Sequence, residues 1–132
     1  MPHDFFTPQP IAGAAVYIMR YIIHDWADER ALAILARLSA AAAPSSRLVL
    51  VEQTYAYLSD FATAPGDGLI PSTFRYLLDG EMPVVVNALE RTEAQCASLA
   101  RKAGWELEKV WKTGRGGEEE GMYRHYEFRL AQ

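Results

Sequence analysis

Two apolar runs joined by a helical pattern constrain this chain more than any other feature. Residues 14–19 (AAVYIM) are apolar without alternation, which is typical of a strand buried on both faces of a parallel sheet. Residues 47–52 (RLVLVE) form a second run of this kind. Between them, leucines recur at helical spacing over about residues 26–43, and Pro44 ends the helix. A strand, a helix and a strand in this order predict a parallel crossover unit and an α/β fold.

A capping box marks the start of a second helix. Thr92 is followed three residues later by Gln95, a spacing that predicts a helix from about residue 93 to 103, ending at Gly104. After it, apolar and polar residues alternate on either side of the glycine-rich segment 114–121. This pattern predicts a C-terminal antiparallel hairpin.

The size and charge of the chain exclude several classes of function. The 132 residues are enough for one compact domain. The 13 basic and 17 acidic residues give a net charge of −4 without a basic stripe, which argues against a nucleic-acid or acidic membrane surface. Cys96 is the single cysteine, so an internal disulfide and a cysteine zinc site are excluded. With no apolar run near the ~20 residues of a membrane span, we expect a cytoplasmic protein.

A histidine and a carboxylate follow the predicted ends of the two parallel strands. His24 lies just past the first strand, and Glu52 ends the second. Ligands bind at this edge of open α/β sheets, so both side chains could reach one crevice, where an imidazole beside carboxylates suits a general base. The alternative is that His24 only hydrogen-bonds the backbone at a strand-to-helix turn, with Asp25 as a candidate N-cap of the helix.

Other chemistries have weaker support in the sequence. His3-Asp4 and His24-Asp25 are adjacent pairs, and adjacent side chains rarely bind the same ion, so we expect no metal site. Residues 66–68 (GDG) lie between two prolines and do not join a strand directly to a helix. An ordinary turn is therefore favoured there over a phosphate-binding loop.

Three segments together carry a resemblance to a known family. They are DFFTPQPIAGAAVY at residues 4–17, RYIIHDWADE at residues 20–29, and NALERTEA at residues 87–94. The chain resembles the C-terminal part of the plant and fungal caffeate-type O-methyltransferases, which use S-adenosylmethionine. The resemblance is poorest over residues 54–82. It implies the C-terminal half of a Rossmann-like class I methyltransferase sheet, with parallel strands and an antiparallel hairpin.

The resemblance implies catalytic roles for three residues. In the family, the histidine of the HDW segment takes the proton from a substrate hydroxyl, usually phenolic, while the oxygen attacks the sulfonium methyl group. His24 matches that histidine. Two glutamates flank it in the family, one at the end of the next strand and one in an ERT segment. Glu52 and Glu90 match them.

The resemblance also implies binding residues. Family members place an aspartate and the following residue near the cofactor adenine, and Asp4 and Phe5 match these. A basic residue four positions before the histidine lies near the cofactor carboxylate, and Arg20 matches it. An asparagine before the ERT segment lines the substrate pocket, which implies this role for Asn87. Asp25 is a further candidate substrate-binding residue.

The family has parts that find no counterpart in this sequence. These are a helical dimerisation domain and a Gly-rich loop under the cofactor. We therefore expect residues 1–132 to form a truncated O-methyltransferase-like domain. The strand at 14–19 would then lack a neighbour, and an unpaired apolar edge invites pairing. We expect a homo-oligomer, or a second chain bound through this edge.

Three functions stay open on the sequence. The first is a truncated or split S-adenosylmethionine-dependent O-methyltransferase that acts on a small aromatic molecule and needs a partner chain for full cofactor binding. The second is a non-catalytic small-molecule-binding or scaffolding protein. The third is a cofactor-independent acid/base catalyst on the same half-fold. The histidine and glutamates favour catalysis, whereas the lack of a glycine loop argues against cofactor use by this chain alone.

Overall fold

The computed structural model describes residues 1–53, 91–113 and 123–131. Within them, four strands form one sheet, and two α-helices and a short 3-10 turn precede or follow the strands. In chain order these are β1 (Val16–Arg20), the 3-10 turn (Ile23–Asp25), α1 (Asp28–Ala41), β2 (Arg47–Gln53), α2 (Glu93–Lys102), β3 (Trp105–Thr113) and β4 (Tyr123–Leu130).

The strand order of the sheet is β1-β2-β4-β3. β1 and β2 are parallel, with Val16 opposite Arg47 and Arg20 opposite Val51. β4 runs antiparallel to both β2 and β3. The predicted α/β class, the parallel crossover and the C-terminal antiparallel hairpin are confirmed. Because β1 and β2 are parallel, their carboxyl ends lie at the same edge of the sheet, and this edge carries the candidate site.

One face of the sheet carries the hydrophobic core. Alternate residues of the strands point to this face and are buried against the apolar sides of both helices. The indole Nε1–H of Trp105 also donates to the carbonyl of Leu35, 3.1 Å away, which fixes α1 against β3. The main contributors are Tyr17, Met19, Leu48, Leu50, Trp105, Tyr126 and Phe128 from the sheet, and Ile34, Leu35, Leu38, Leu99 and Ala100 from the helices.

The opposite face of β1 is exposed, so the prediction of a strand buried on both faces was wrong. Tyr17 and Met19 are buried, but Val16 is 48% exposed and Ile18 is 68% exposed. Apolar residues of both helices belong to the same core cluster, so within the described ranges the helices cover one face of the sheet. The strand is also at an edge of the described sheet, which leaves its outer side without a strand neighbour there.

The first helix begins later than its sequence suggests. Asp25 is not the N-cap, because it belongs to the 3-10 turn. The N-cap is Ala27, which makes no side-chain cap. Trp26 and Ala27 are both extended, and these residues carry the chain from the turn into the helix. Asp28 and Glu29 then lie in the first turn, where their charges favour the positive end of the helix dipole.

The start of the second helix is formed as predicted. The Thr92 hydroxyl accepts from the Gln95 amide, and the Gln95 side chain accepts from the Thr92 amide, which completes the capping box. Gly104, with a φ of +86°, follows the helix in the left-handed region. Among the described residues, no helix is both long and apolar enough to cross a membrane.

The capping box gives a first prediction about stability. Replacing Thr92 with alanine should lower the free energy of unfolding by about 1 kcal/mol, because the Gln95 amide loses its acceptor. Ser98→Ala, at an exposed position of the same helix, is the matched control and should change stability little. Urea unfolding measures both variants. If Thr92→Ala and the unmodified chain have equal free energies of unfolding, the capping box contributes nothing to stability.

Candidate functional site

A sharp turn after β1 places His24 at the carboxyl edge of the sheet. Tyr21 has a φ of +53°, a left-handed conformation that costs a non-glycine residue about 1–3 kcal/mol. Its amide donates to the carbonyl of Val51 at 3.0 Å, so the chain stays joined to β2 as it turns. The 3-10 turn follows directly, with His24 at its centre and its side chain 17% exposed. The imidazole is therefore largely enclosed, with a small part of its surface exposed.

A buried carboxylate joins this turn to β2. Glu52 is 3% exposed, and its Oε1 accepts a hydrogen bond from the Ile23 amide at 2.9 Å. A buried carboxylate is costly unless hydrogen bonds compensate it, and bonds to a charged acceptor are stronger than neutral ones. The structure thus brings Glu52 to the turn that carries His24. Its bond to Ile23 holds the main chain next to the histidine.

A buried arginine holds the same turn from the α2 side. Arg91 is 5% exposed, and its guanidinium donates to the carbonyls of Ile23 and Trp26 at 2.9 and 2.7 Å. Its Nε and Nη2 also donate to one carboxylate oxygen of Asp28. Sequence reasoning missed this residue. The available signal was a cation directly before the N-cap of α2, within the segment that carries the family resemblance.

Polar and aromatic side chains surround the imidazole. Nε2 of His24 lies 3.3 Å from a carboxylate oxygen of Asp25, and the ring centre lies 5.9 Å from that of Tyr21. The guanidinium of Arg20 lies over the Tyr21 ring at 4.9 Å. A carboxylate this close stabilises the positively charged imidazolium. The arrangement can therefore accept a proton from a bound hydroxyl and hold the resulting charge.

The N-terminal segment packs next to this turn. The rings of Phe5 and Phe6 meet the Trp26 ring edge to face, with centres 6.0 and 4.8 Å away. Asp4 shapes the segment, because its Oδ1 accepts from the Phe6 amide at 3.0 Å. The segment therefore lies against a residue only two positions after His24. The structure brings the predicted adenine-contacting residues and the predicted base to one region.

The described residues suit the cofactor that the resemblance implies. Arg20 is exposed at the end of β1, where a guanidinium can bind a carboxylate. Phe5 is half-buried and offers an aromatic surface to a planar base. Asn87 and Glu90 lie outside the described residues. Across residues 1–53, 91–113 and 123–131, no three acidic, histidine or cysteine side chains are grouped to hold a metal ion.

Comparison with known proteins identifies the family. The model of the O-methyltransferase domain matches residues 2–106. O-methyltransferase xanE of Aspergillus fumigatus is 40% identical over 123 residues, which are 92% of this chain and 27% of xanE. The 4-O-methyltransferase 1 of Phanerochaete chrysosporium is 37% identical and is covered over 28% of its length. The chain thus spans about a quarter of the length of these relatives.

Solved structures show the same fold. TnmH matches 98% of this chain with a TM-score of 0.79 and 29% identity, over 34% of its own length. A protein described as a pericyclic reaction enzyme matches with a TM-score of 0.77 and 28% identity, over 98% of this chain and 30% of its own. The O-methyltransferase NcsB1, in complex with S-adenosyl-L-homocysteine and 1,4-dihydroxy-2-naphthoic acid, matches with a TM-score of 0.69 and 26% identity, over 97% and 32%. The described sheet corresponds to the C-terminal part of class I methyltransferases.

The Glu52 bond gives a second prediction. In Glu52→Ala the buried Ile23 amide loses its acceptor, which should cost about 1–3 kcal/mol of stability and speed hydrogen exchange at that amide. Glu52→Gln keeps a carbonyl oxygen at the same place and should retain most of the protection. Glu106→Ala, in a more exposed ion pair on β3, is the control. Unchanged exchange at Ile23 in a folded Glu52→Ala variant would contradict the bond.

Proposed function

Because the chain belongs to the O-methyltransferase domain family, we propose that it takes part in methyl transfer from S-adenosylmethionine to a hydroxyl of a small aromatic molecule. The observation that carries the proposal is the position of His24, at the carboxyl ends of two parallel strands. The aromatic substrate class is supported by NcsB1, which holds a dihydroxynaphthoic acid in its solved structure. Closer assignment to the caffeate type is part of the same proposal.

His24 acts as the general base in this proposal. Bound S-adenosylmethionine supplies an electrophilic methyl group. A phenol has a pKa near 10, as tyrosine has, and is mostly protonated at neutral pH, so removing its proton makes the oxygen a better nucleophile. The imidazole accepts that proton, and Asp25 stabilises the imidazolium from 3.3 Å. A general base of this kind typically contributes about 10²- to 10⁴-fold.

Other residues hold the two reactants. Arg20 pairs with the cofactor carboxylate, and Asp4 and Phe5 contact its adenine. Asn87 lines the substrate pocket, and Glu90 flanks the base together with the buried Glu52. The cofactor residues are supported by their location: Arg20 lies over the Tyr21 ring, and Phe5, next to Asp4, packs on Trp26. For Asn87 and Glu90 the support is the family resemblance.

A second chain or a further segment completes the cofactor site. The chain spans about a quarter of the length of relatives that are named as O-methyltransferases. Its β1 strand is at the edge of the described sheet and exposes Val16 and Ile18 on one face. An edge strand with apolar exposed side chains is a template for pairing. We place the association at this strand.

A reaction other than methyl transfer is the second candidate. The observation that favours it is the match to a pericyclic reaction enzyme over 98% of this chain. In this case His24, together with Glu52 or Glu90, would act on a bound substrate without methyl transfer. The two candidates differ in their products, because only the first yields a methyl ether together with S-adenosylhomocysteine.

The third prediction tests the base. In a preparation that transfers methyl groups to phenols, His24→Gln should lower kcat by about 10²-fold or more, with folding intact. His125→Gln is the matched control. His125 lies on β4 and not in the turn that carries His24, so its replacement should leave kcat unchanged. Labelled S-adenosylmethionine and chromatography of the methylated phenol give the rates. Unchanged turnover in His24→Gln would exclude the mechanism.

The fourth prediction tests the association. Light scattering of the purified chain at high concentration should give a mass above that of the monomer. Ile18→Lys places a charge on the exposed face of β1 and should shift the chain towards the monomer. Glu108→Lys, exposed on β3, also alters a surface charge and should leave the mass unchanged. A strictly monomeric mass for the unmodified chain would contradict self-association.

A further inference from the structure

Arg91 is buried where a charge is expensive. A guanidinium removed from water costs several kcal/mol unless its donors are satisfied and its charge is compensated. At 5% exposure, Arg91 meets this condition with four hydrogen bonds, two to the Asp28 carboxylate and two to main-chain carbonyls. The Asp28 carboxylate, 67% exposed, faces solvent. Stability alone does not explain a charge at this position, because an apolar residue of similar size would avoid the cost of desolvation.

The carbonyls that Arg91 binds lie on either side of His24. Ile23 comes directly before the histidine, and Trp26 comes two residues after it. Within the turn itself, the bonds from Asp25 to Ile22 and from Trp26 to Ile23 are 3.2 and 3.3 Å. The first lies at the upper limit of the usual range for N–H···O bonds, about 3.2 Å, and the second lies just beyond it. The turn is therefore held weakly by its own backbone.

Bonds from outside the turn are shorter. Arg91 reaches the turn at 2.9 and 2.7 Å, and the Glu52 carboxylate binds the Ile23 amide at 2.9 Å. The left-handed conformation of Tyr21 at the entry adds strain that the surrounding structure must hold. Arg91 thus donates to two carbonyls of this segment, and Glu52 accepts from one of its amides. The conformation around His24 depends on them more than on local sequence.

We propose that Arg91 is a positioning residue for His24: its guanidinium fixes the main chain on both sides of the histidine and so sets the direction of the imidazole. Arg91 does not touch the substrate hydroxyl in this role. What the oriented imidazole then does rests on the proposed function, but the orientation itself does not. The role requires the planar, forked donors of arginine, because a lysine ammonium presents its donors from one nitrogen and cannot span both carbonyls and the carboxylate.

The test compares Arg91→Lys with Arg47→Lys in the whole chain labelled with nitrogen-15. Arg47 is half-buried at the other end of β2 and also forms an ion pair, so it is a matched control. Long-range proton–nitrogen spectra report the imidazole nitrogens, and His24→Gln identifies the His24 signals. Arg91→Lys should shift or broaden the His24 signals and leave those of His3 and His125 in place. Arg47→Lys should leave the His24 signals unchanged. Unchanged His24 signals in a folded Arg91→Lys chain would overturn the proposal.

A measurement on the unmodified chain decides the case if Arg91→Lys does not fold. Side-chain spectra should show Nη–H signals of Arg91 that exchange slowly with water and do not average, because the group is buried and bonded to three residues. Arg37, exposed on α1, supplies the averaged, rapidly exchanging reference. An Arg91 guanidinium that rotates and exchanges as freely as Arg37 would also overturn the proposal.

Activity separates this inference from the proposed function. Where methyl transfer is observed, Arg91→Lys should lower kcat about tenfold to a hundredfold through misplacement of the base, with little change in the KM for S-adenosylmethionine. If the spectra change as expected but no methyl transfer is found, the positioning role stands and the proposed function fails. If His24→Gln abolishes transfer while Arg91→Lys retains full kcat, the function stands and the positioning role fails.

Discussion

The hydrogen bond from the Ile23 amide to the buried carboxylate of Glu52 connects the fold to the candidate site. It joins the segment after β1 to the C-terminal end of β2, at the edge of the sheet where both parallel strands end. This bond exists only because β1 and β2 are adjacent and parallel, with Arg20 opposite Val51. The crossover helix makes that arrangement possible, and the core beneath it makes the arrangement rigid.

Side chains from distant parts of the chain meet at this edge of the sheet. Phe5 and Phe6 pack on Trp26, and Arg91 enters from the start of α2. Phe5, Phe6 and Arg91 therefore all contact the segment that carries His24. A rigid sheet thus supports a turn whose own hydrogen bonds are long, and the turn is set by charged groups on either side. In the proposed mechanism this support orients His24 for chemistry, while its side chain stays 17% exposed.

The parts that sequence predicted are those with local causes. The capping box needs two residues three apart, and the strands and helices follow from short apolar patterns. Asp25 was misplaced as a cap because the left-handed Tyr21 and two extended residues delay the helix, and nothing in the local pattern specifies them. The exposed face of β1 was missed because an apolar run does not show which side is covered. Arg91 escaped notice because its bonds span 63 to 68 residues of sequence.

The most direct test of the account is the distance between the His24 imidazole and a substrate hydroxyl. It can be measured in a crystal structure of the chain, with its partner if one is required, bound to S-adenosylhomocysteine and a phenol. The account predicts an imidazole nitrogen within hydrogen-bond reach of the phenolic oxygen, about 2.6–3.2 Å, with Arg91 still bound to the carbonyls of Ile23 and Trp26. A phenol held elsewhere, or an imidazole turned away from it, would contradict the account.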